Sequence, residues 1–152
     1  MRIMQVPVAQ RNNYRQLLIL GDEDPRMLDK YIDKGKMFVA KDQTVTIGVL
    51  IIVPVSVEIL EIKNIAVKEK FQSRGVGSFL ISYVEKKFAN KYKSIQVGTG
   101  DADLSNIRFY LKNGYRFSAI REKFFEQYDQ PIFANGIQLQ DMVVLSKNLQ
   151  KK

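Results

Sequence analysis

The chain contains neither cysteine nor histidine among its 152 residues. Without these residue types it has no Ser-His-Asp or Cys-His catalytic arrangement and no zinc site of the usual Cys/His kind. Disulfide bonds and acyl-enzyme intermediates on cysteine are excluded for the same reason. Proton transfer in any reaction of this chain therefore falls to carboxylate groups, tyrosine or water.

Long hydrophobic runs are also missing. No apolar run approaches the ~18 residues that a membrane-spanning helix needs. The start, Met1-Arg2-Ile3, lacks the apolar region and cleavage site of a signal peptide. We therefore expect a cytoplasmic protein without a membrane partner. The length predicts one domain over residues 1–152, with a proper buried core.

Basic residues outnumber acidic residues by 24 to 16, which gives a formal net charge of +8. That charge is compatible with nucleic-acid binding, with an anionic cofactor, or with solubility alone. The lysines are scattered, and the sequence has no aromatic-rich basic motif for RNA. Nucleic acid is therefore not the expected partner.

Two glycines and a basic residue stand together in the run Gln72-Ser73-Arg74-Gly75-Val76-Gly77. Residues 57–67 before it are rich in Ile, Leu and Val, as in a strand, and apolar residues then recur at helical spacing. A helix that begins at glycines presents unpaired amides and a partial positive charge, which suit a pyrophosphate. The glycines are also compatible with an ordinary tight turn.

Two other phosphate-binding loops are excluded. Leu80 stands where a dinucleotide fingerprint needs its third glycine. The Gly-Lys-Ser/Thr sequence of a P-loop is missing as well.

Periodicity and turn signals predict the other elements. Asp24 and Gly35 are the expected N-cap and C-cap of the second helix. A run of strands, followed by strands and helices in alternation, indicates a mixed sheet with helices on both faces. The expected strands are residues 3–8, 37–41, 44–53, 57–67, 94–98, 115–125 and 137–145, and the expected helices are 14–20, 25–34, the segment after the glycine run, and 104–112.

A combination of motifs then points to a known family. Gln-x-x-Gly-x-Gly follows a strand that ends with Asn64-Ile65-Ala66-Val67, and further on come Asn106, Phe109, Tyr110, Gly114 and Tyr115. In this order the motifs resemble the GNAT superfamily of N-acetyltransferases, over residues from about 37 to 145. The resemblance implies an α/β (mixed α+β) fold: a mostly antiparallel mixed sheet of about seven strands with helices on both faces. The fourth and fifth strands would splay apart around the pantetheine arm of acetyl-CoA.

The resemblance implies acetyl-CoA as co-substrate and no metal. The strand edge would pair with the pantetheine amides, and the glycine loop would bind the pyrophosphate. Asn106 would bind the pantetheine arm, although asparagine is also common in the first turn of a helix for local hydrogen bonding. The residues assigned to the co-substrate are Ile65, Ala66, Val67, Gln72, Arg74, Gly75, Val76, Gly77, Ser78, Asn106 and Phe109.

Tyr110 and Glu61 are the catalytic candidates that the resemblance implies. Tyr110 would protonate the leaving thiolate, since a phenol with a pKa of about 10 stays protonated at pH 7. The alternative is that it belongs to the apolar stripe of its helix. Glu61 would draw the proton from the acceptor ammonium through water, and a carboxylate inside an apolar strand should have a raised pKa. The alternative for Glu61 is a solvent-facing position on a half-exposed strand.

Two segments allow a structural or a substrate-binding interpretation. Thr99-Gly100-Asp101 would line the acyl pocket or simply turn the chain, with Asp101 or Asp103 capping the next helix. The aromatic-rich residues 124–133 would wall the acceptor site, because cations bind well over aromatic faces. Otherwise they would form a packed loop or a dimer contact.

The sequence therefore predicts an enzyme that moves an acetyl group from acetyl-CoA to a primary amine by direct attack in a ternary complex. The acceptor would be a small molecule or a peptide, and the fold does not choose between them. The competing prediction is a non-catalytic module on the same fold that senses acyl-CoA or binds RNA. The resemblance also implies a homodimer.

Overall fold

The computed structural model describes residues 1–150. None of the helices in that range is long and apolar enough to cross a membrane. The strands are β1 Arg2–Val6, β2 Lys36–Asp42, β3 Val45–Pro54, β4 Ile59–Val67, β5 Ser94–Gly100, β6 Arg116–Arg121, β7 Phe133–Ala134, β8 Ile137–Gln138 and β9 Met142–Asn148. The α-helices are α1 Arg15–Gly21, α2 Pro25–Asp29, α3 Val76–Phe88 and α4 Leu104–Lys112, and short 3-10 helices span Val8–Tyr14, Glu69–Phe71 and Phe124–Gln127.

The main sheet of residues 1–150 has seven strands in the order β1-β2-β3-β4-β5-β9-β6. Its neighbouring strands are antiparallel except for β4 and β5, which are parallel. Helix α3 covers one face, and α1 and α2 cover the other. The predicted fold class is confirmed.

Strands β4 and β5 diverge after a short paired stretch. Residues 59–62 of β4 pair with residues 94–97 of β5, whereas β3 accompanies β4 as far as Val67. Beyond Ile62, no strand of the described chain pairs with β4 on its β5 side. The two strands splay as predicted, and a cleft opens between them.

A hydrophobic cluster on each face fixes the helices to the sheet. Leu80 of α3 packs in the cluster that contains Phe38, and Leu18 of α1 packs in the cluster that contains Val39. Phe38 and Val39 are adjacent in β2 and serve opposite faces, because successive side chains of a strand point to opposite sides. The α3 face and the α1/α2 face therefore have separate cores.

Strand β4 contains a bulge at Lys63. Ile52 of β3 pairs with Ile62, but the next partner pair is Ile51 with Asn64, so Lys63 is an extra residue. The bulge reverses the alternation of side chains along the strand. Ile62 packs in the α3 cluster, whereas Asn64, two residues later, donates a hydrogen bond to Leu18 O of α1.

The second helix is shorter than predicted. Asp24 is its N-cap as expected, since its carboxylate accepts a hydrogen bond from Arg26 N. The helix ends at Asp29, however, and not at the expected residue 34. After this end, the guanidinium of Arg11, which is 2% exposed, donates hydrogen bonds to the carbonyl oxygens of residues 32, 34 and 35 at 2.7–2.9 Å. The carbonyls of this segment are therefore satisfied without a longer helix.

Several strand boundaries differ from the prediction by a few residues, and two of these differences have a clear local cause. Strand β4 begins at residue 59 and not 57, because Ser56 Oγ accepts the amides of residues 58 and 59 and closes a turn. The sixth strand ends at Arg121 and not at residue 125, since Lys123 adopts a positive φ of 57°.

The predicted last strand, 137–145, is in fact divided. An Asn135-Gly136 turn, with φ values of 53° and 77°, joins β7 and β8 into a small separate hairpin. Asp101 then accepts the amides of residues 140 and 141, and β9 begins only at Met142. These side-chain acceptors interrupt the strand.

Replacing Arg11 by methionine should lower the free energy of unfolding by about 3 kcal/mol, because buried carbonyls lose their charged donor. Urea unfolding followed by circular dichroism measures this change. Arg108→Met is the matched control, because Arg108 is exposed on α4 and should change stability by less than about 0.5 kcal/mol. Equal stability of the Arg11 variant and the parent would contradict the role of Arg11.

Candidate active site

A cavity of about 1130 Å³ opens where β4 and β5 diverge. Its volume lies just above the roughly 300–1,000 Å³ that is usual for a pocket that binds a small molecule. Its walls come from the end of β4, the glycine loop, α4, the turn after α1, and the aromatic segment 124–133. The cavity brings together most of the predicted site residues: Glu61, Ile65, Ala66, Val67, Gln72, Gly75, Val76, Gly77, Ser78, Asn106, Phe109 and Tyr110.

Arg74 differs from the other predicted residues of the glycine loop. Its guanidinium lies 5.7 Å from the centroid of the Phe71 ring, and Arg74 is not part of the cavity wall. Gln72 lines the cavity and also donates a hydrogen bond to Val67 O at 3.0 Å, which ties the loop to the end of β4.

The glycine loop presents helix amides to the cavity. Gly75 is the N-cap of α3 at φ 83°, and the first hydrogen bond of the helix runs from Phe79 N to Gly75 O. The amides before Phe79 therefore have no acceptor within the helix. A Cβ placed on Gly75 would meet nothing within 4 Å, so the loop is open on that side. These features suit an anion bound at the start of a helix.

Gly77 has a different task from Gly75. A Cβ at Gly77 would lie 2.9 Å from the tip of the Phe109 ring. Glycine at this position lets α4 pack closely against the first turn of α3. The contact places the first turn of α3 and helix α4 at the same cavity.

Beyond the bulge, the edge of β4 that faces the cavity has backbone groups without a strand partner in residues 1–150. Ile65, Ala66 and Val67 belong to this stretch. An unpaired strand edge is a template for an extended ligand with amide groups.

Tyr110 belongs both to the apolar core and to the cavity wall. It is 4% exposed and belongs to the core cluster on the α3 face, yet it also lines the cavity. Its ring makes edge contacts with Phe109 and Tyr115, at centroid distances of 5.2 and 6.1 Å. Burial, together with the charge of Asp103, raises the pKa of Tyr110. The hydroxyl therefore stays protonated at neutral pH and can donate a hydrogen bond into the cavity.

Asp103 is the N-cap of α4, and is one of the two residues, Asp101 and Asp103, that the sequence offered for this cap. It accepts hydrogen bonds from Asn106 N at 3.2 Å and from Asn106 Nδ2 at 2.9 Å. Asn106 therefore takes part in the capping of α4 and also lines the cavity. Asp101 instead binds the amides of residues 140 and 141.

Glu61 is buried at 4% exposure, so the alternative of a solvent-facing residue is wrong. One carboxylate oxygen accepts from Arg121 at 2.8 Å and from Gln96 at 2.6 Å, and the other lies 3.2 Å from Lys63 Nζ. The expected raised pKa is wrong as well. Burial alone would raise the pKa of Glu61, but the hydrogen bonds from Arg121 and Gln96 and the charge of Lys63 lower it below its ordinary value.

A network around Asp22 was not predicted from the sequence. Asp22 follows α1, lines the cavity and accepts hydrogen bonds from the hydroxyls of Tyr31 at 3.1 Å and Tyr128 at 3.2 Å. Asn64 donates to the Tyr31 hydroxyl at 3.0 Å. Burial raises the pKa of Asp22, and the hydrogen bonds oppose that rise. Tyr128 lies in the aromatic segment that the sequence singled out, but no sequence signal connects that segment to Asp22.

The aromatic segment forms part of the cavity wall. Phe124, Phe125 and Tyr128 pack against one another with centroid distances of 5.1–6.1 Å. All three line the cavity and are half-buried.

Within residues 1–150 there is no group of acidic side chains able to hold a metal ion.

Comparisons with known proteins agree with this geometry. A sequence model of the acetyltransferase (GNAT) domain matches residues 33–117. An uncharacterised N-acetyltransferase of Bacillus subtilis strain 168, YvbK, is 36% identical over 135 residues, which cover 88% of this chain and 87% of that protein.

Two solved structures share the fold over almost their full length. A GNAT family acetyltransferase from Elizabethkingia anophelis with acetyl-CoA bound is 37% identical, with a TM-score of 0.90 over 97% of each chain. A Bacillus subtilis acetyltransferase in complex with CoA is 34% identical, with a TM-score of 0.87 over 97% of each chain. By its sequence, its fold and the residues that its cleft brings together, this chain belongs to the GNAT family of acetyltransferases.

Proposed function

We propose that this protein transfers an acetyl group from acetyl-CoA to a primary amine by direct attack in a ternary complex. The observation that supports this most directly is that the open helix start, the unpaired β4 edge and Tyr110 line one cavity. The acetyl-CoA and CoA in the two similar structures support the co-substrate.

In the proposed complex the amides of Gly75, Val76, Gly77 and Ser78 bind the pyrophosphate. The N-terminal end of the 13-residue helix α3 adds a favourable dipole. Arg74 adds charge near the loop. Along β4, the backbone of residues 65–67 pairs with the pantetheine amides, and Asn106 and Phe109 contact the same arm from α4.

The reaction forms one bond and breaks one bond. The amine nitrogen attacks the acetyl carbon, a backbone amide near Val67 polarises the carbonyl, and the carbon–sulfur bond breaks. The departing sulfur takes a proton from Tyr110, and Tyr110 regains one through water from the attacking nitrogen, which loses a proton as the amide forms. Burial disfavours charge on the sulfur as it does on the phenol, so a hydrogen bond from Tyr110 stabilises the thiolate as it forms.

Glu61 receives the proton that the acceptor ammonium loses, through water. Its lowered pKa keeps it ionised and ready to accept, but also makes it a weak base. Its fixed ion pairs hold it at the point where β4 and β5 separate. We therefore assign the removal of the ammonium proton, through water, to Glu61.

Tyr110→Phe should lower kcat by about 100-fold, because the leaving sulfur loses its proton donor. Release of free CoA thiol from acetyl-CoA, with a primary amine as acceptor, measures the rate. The CoA-dependent rise in melting temperature should survive in this variant. Tyr92→Phe is the matched control, since it removes another buried phenol hydroxyl outside the cavity.

The acetyltransferase activity would be refuted if the parent protein released no thiol across a broad panel of amines and lysine peptides. If Tyr110→Phe turned over as fast as the parent, the role of Tyr110 as proton donor would be refuted.

Gly75→Ala should weaken CoA binding by about tenfold or more, because a methyl group enters the open side of the loop. Gly136→Ala is a close control: both glycines have a positive φ, 83° and 77°, and both have free space around a new Cβ. Each change should cost about 1–2 kcal/mol of stability from backbone strain. Calorimetric titration with CoA measures whether the affinity falls in Gly75→Ala alone. Equal loss of affinity in both variants would argue against pyrophosphate binding at the loop.

The pH profile should not show titration of Glu61 above pH 6. Its pKa lies below the ordinary value of 4.5, so the group is ionised throughout that range. The acid limb of kcat/KM should instead follow the pKa of the acceptor amine, and two acceptors of different pKa test this. Glu61→Gln should lower kcat by about tenfold or more without moving the limb. A limb that is independent of the amine and disappears in Glu61→Gln would contradict the lowered pKa.

A further inference from the structure

Asp22 is a half-buried carboxylate in the wall of the cavity. The ion pairs formed within residues 1–150 do not include it. A carboxylate withdrawn from water without a cation is unfavourable, and a bound cation removes that cost. The position is therefore suited to a positively charged ligand.

Two phenols hold the carboxylate in a fixed orientation. Tyr31 donates to Asp22 Oδ2 and Tyr128 donates to Asp22 Oδ1, from segments 9 and 106 residues away. Asn64 Nδ2 donates to the Tyr31 hydroxyl, so the Tyr31 proton is directed to Asp22. Asp22 Oδ1 also accepts the Asp24 amide at 3.5 Å, whereas Asp22 Oδ2 keeps a second lone pair that can accept from an ammonium.

The surroundings suit an alkyl chain that ends in a cation. The rings of Phe124, Phe125 and Tyr128 form a wall of the same cavity beside Asp22. Aromatic faces next to a carboxylate bind alkylammonium groups through both charge and apolar contact. This arrangement accounts for the aromatic segment better than packing alone does.

The charged neighbours leave Asp22 free for a ligand. Lys63 also lines the cavity, but its Nζ is paired with Glu61 at 3.2 Å. Asp24 and Asp129 both pair with Arg26. Lys30 and Lys34 are exposed cavity residues and lie more than 4 Å from any Asp22 oxygen, the limit of an ion pair.

Asp22 and Tyr110 approach the cavity from opposite faces of the sheet. Tyr31, which holds Asp22, belongs to the cluster on the α1/α2 face of the sheet. Tyr110, the proposed donor to the CoA sulfur, belongs to the cluster on the α3 face. The two residues therefore serve different ligands, Tyr110 the co-substrate and Asp22 the acceptor.

We propose that Asp22, held by Tyr31 and Tyr128, binds a second positive charge of the acceptor, so that the substrate is an aliphatic diamine or polyamine. One amine attacks the thioester while another lies against Asp22 and the aromatic wall. This inference rests on the proposed acetyltransferase function and adds the class of acceptor to it.

The test compares acceptors that differ only in the second charge. A series of α,ω-diamines with three to six carbons is compared with the amino alcohols of the same length, by thiol release from acetyl-CoA. The parent should prefer its best diamine by at least about tenfold in kcat/KM. Asp22→Asn should abolish that preference through a higher KM for the diamine, with a smaller change for the amino alcohol, whose hydroxyl carries no charge, and with no change in the KM for acetyl-CoA.

Two further variants keep the test decisive. Tyr128→Phe removes one of the two hydroxyls and should shift the diamine KM in the same direction by a smaller factor. Asp29→Asn is the control, since Asp29 is exposed, paired with Arg15 and outside the cavity. The melting temperature of each variant without ligand verifies that it folds.

The outcomes separate this inference from the proposed function. Equal use of diamines and amino alcohols by the parent, or an equal loss with both acceptors in Asp22→Asn, would overturn the role of Asp22 and leave acetyl transfer intact. If the parent released no thiol with any amine, acetyl transfer itself would fail. The Asp22 site is then still tested by melting in the presence of CoA. A diamine should raise the melting temperature of the parent but not that of Asp22→Asn, and the absence of any rise would overturn the site.

Discussion

The early end of the parallel pairing between β4 and β5 is the constraint on which the site depends. Only residues 59–62 of β4 are joined to β5. Glu61 sits in this last paired stretch, opposite Gln96, and its carboxylate binds that partner together with Arg121 of β6. One buried anion thus joins three strands at the point where the cleft begins. On the open side of that point, β4 keeps an edge that a ligand can pair with.

The two faces of the sheet contribute different parts of the cavity. The α3 face supplies the glycine loop, the close contact of Gly77 with Phe109, and Tyr110. The α1/α2 face supplies the turn with Asp22 and the phenol of Tyr31, closed by the aromatic segment. The cavity therefore has a wall from each face of the sheet.

The sequence predicted the parts that local physics determines. The glycine loop, α3, α4 with a cap at Asp101 or Asp103, and the mixed sheet follow from periodicity and capping, and the GNAT resemblance supplied the splay. The misses come from contacts between distant segments. The pKa of Glu61 depends on Arg121, 60 residues later, and Arg11 holds the segment after α2. The environment of Asp22 depends on a hydrogen bond from the distant Tyr128. The assignment to one domain and the cytoplasmic location remain predictions.

The bulge at Lys63 reverses the alternation of side chains between the two faces of the sheet. With a regular β4, Ile62 and Asn64 would point to the same face, because they are two residues apart. Asn64 would then enter the apolar core under α3, and its amide could not reach Tyr31. The extra residue lets a single strand support the α3 core with Ile62 and the polar network of the opposite face with Asn64. Removing it would exchange the faces of the sheet toward which the last residues of the strand point.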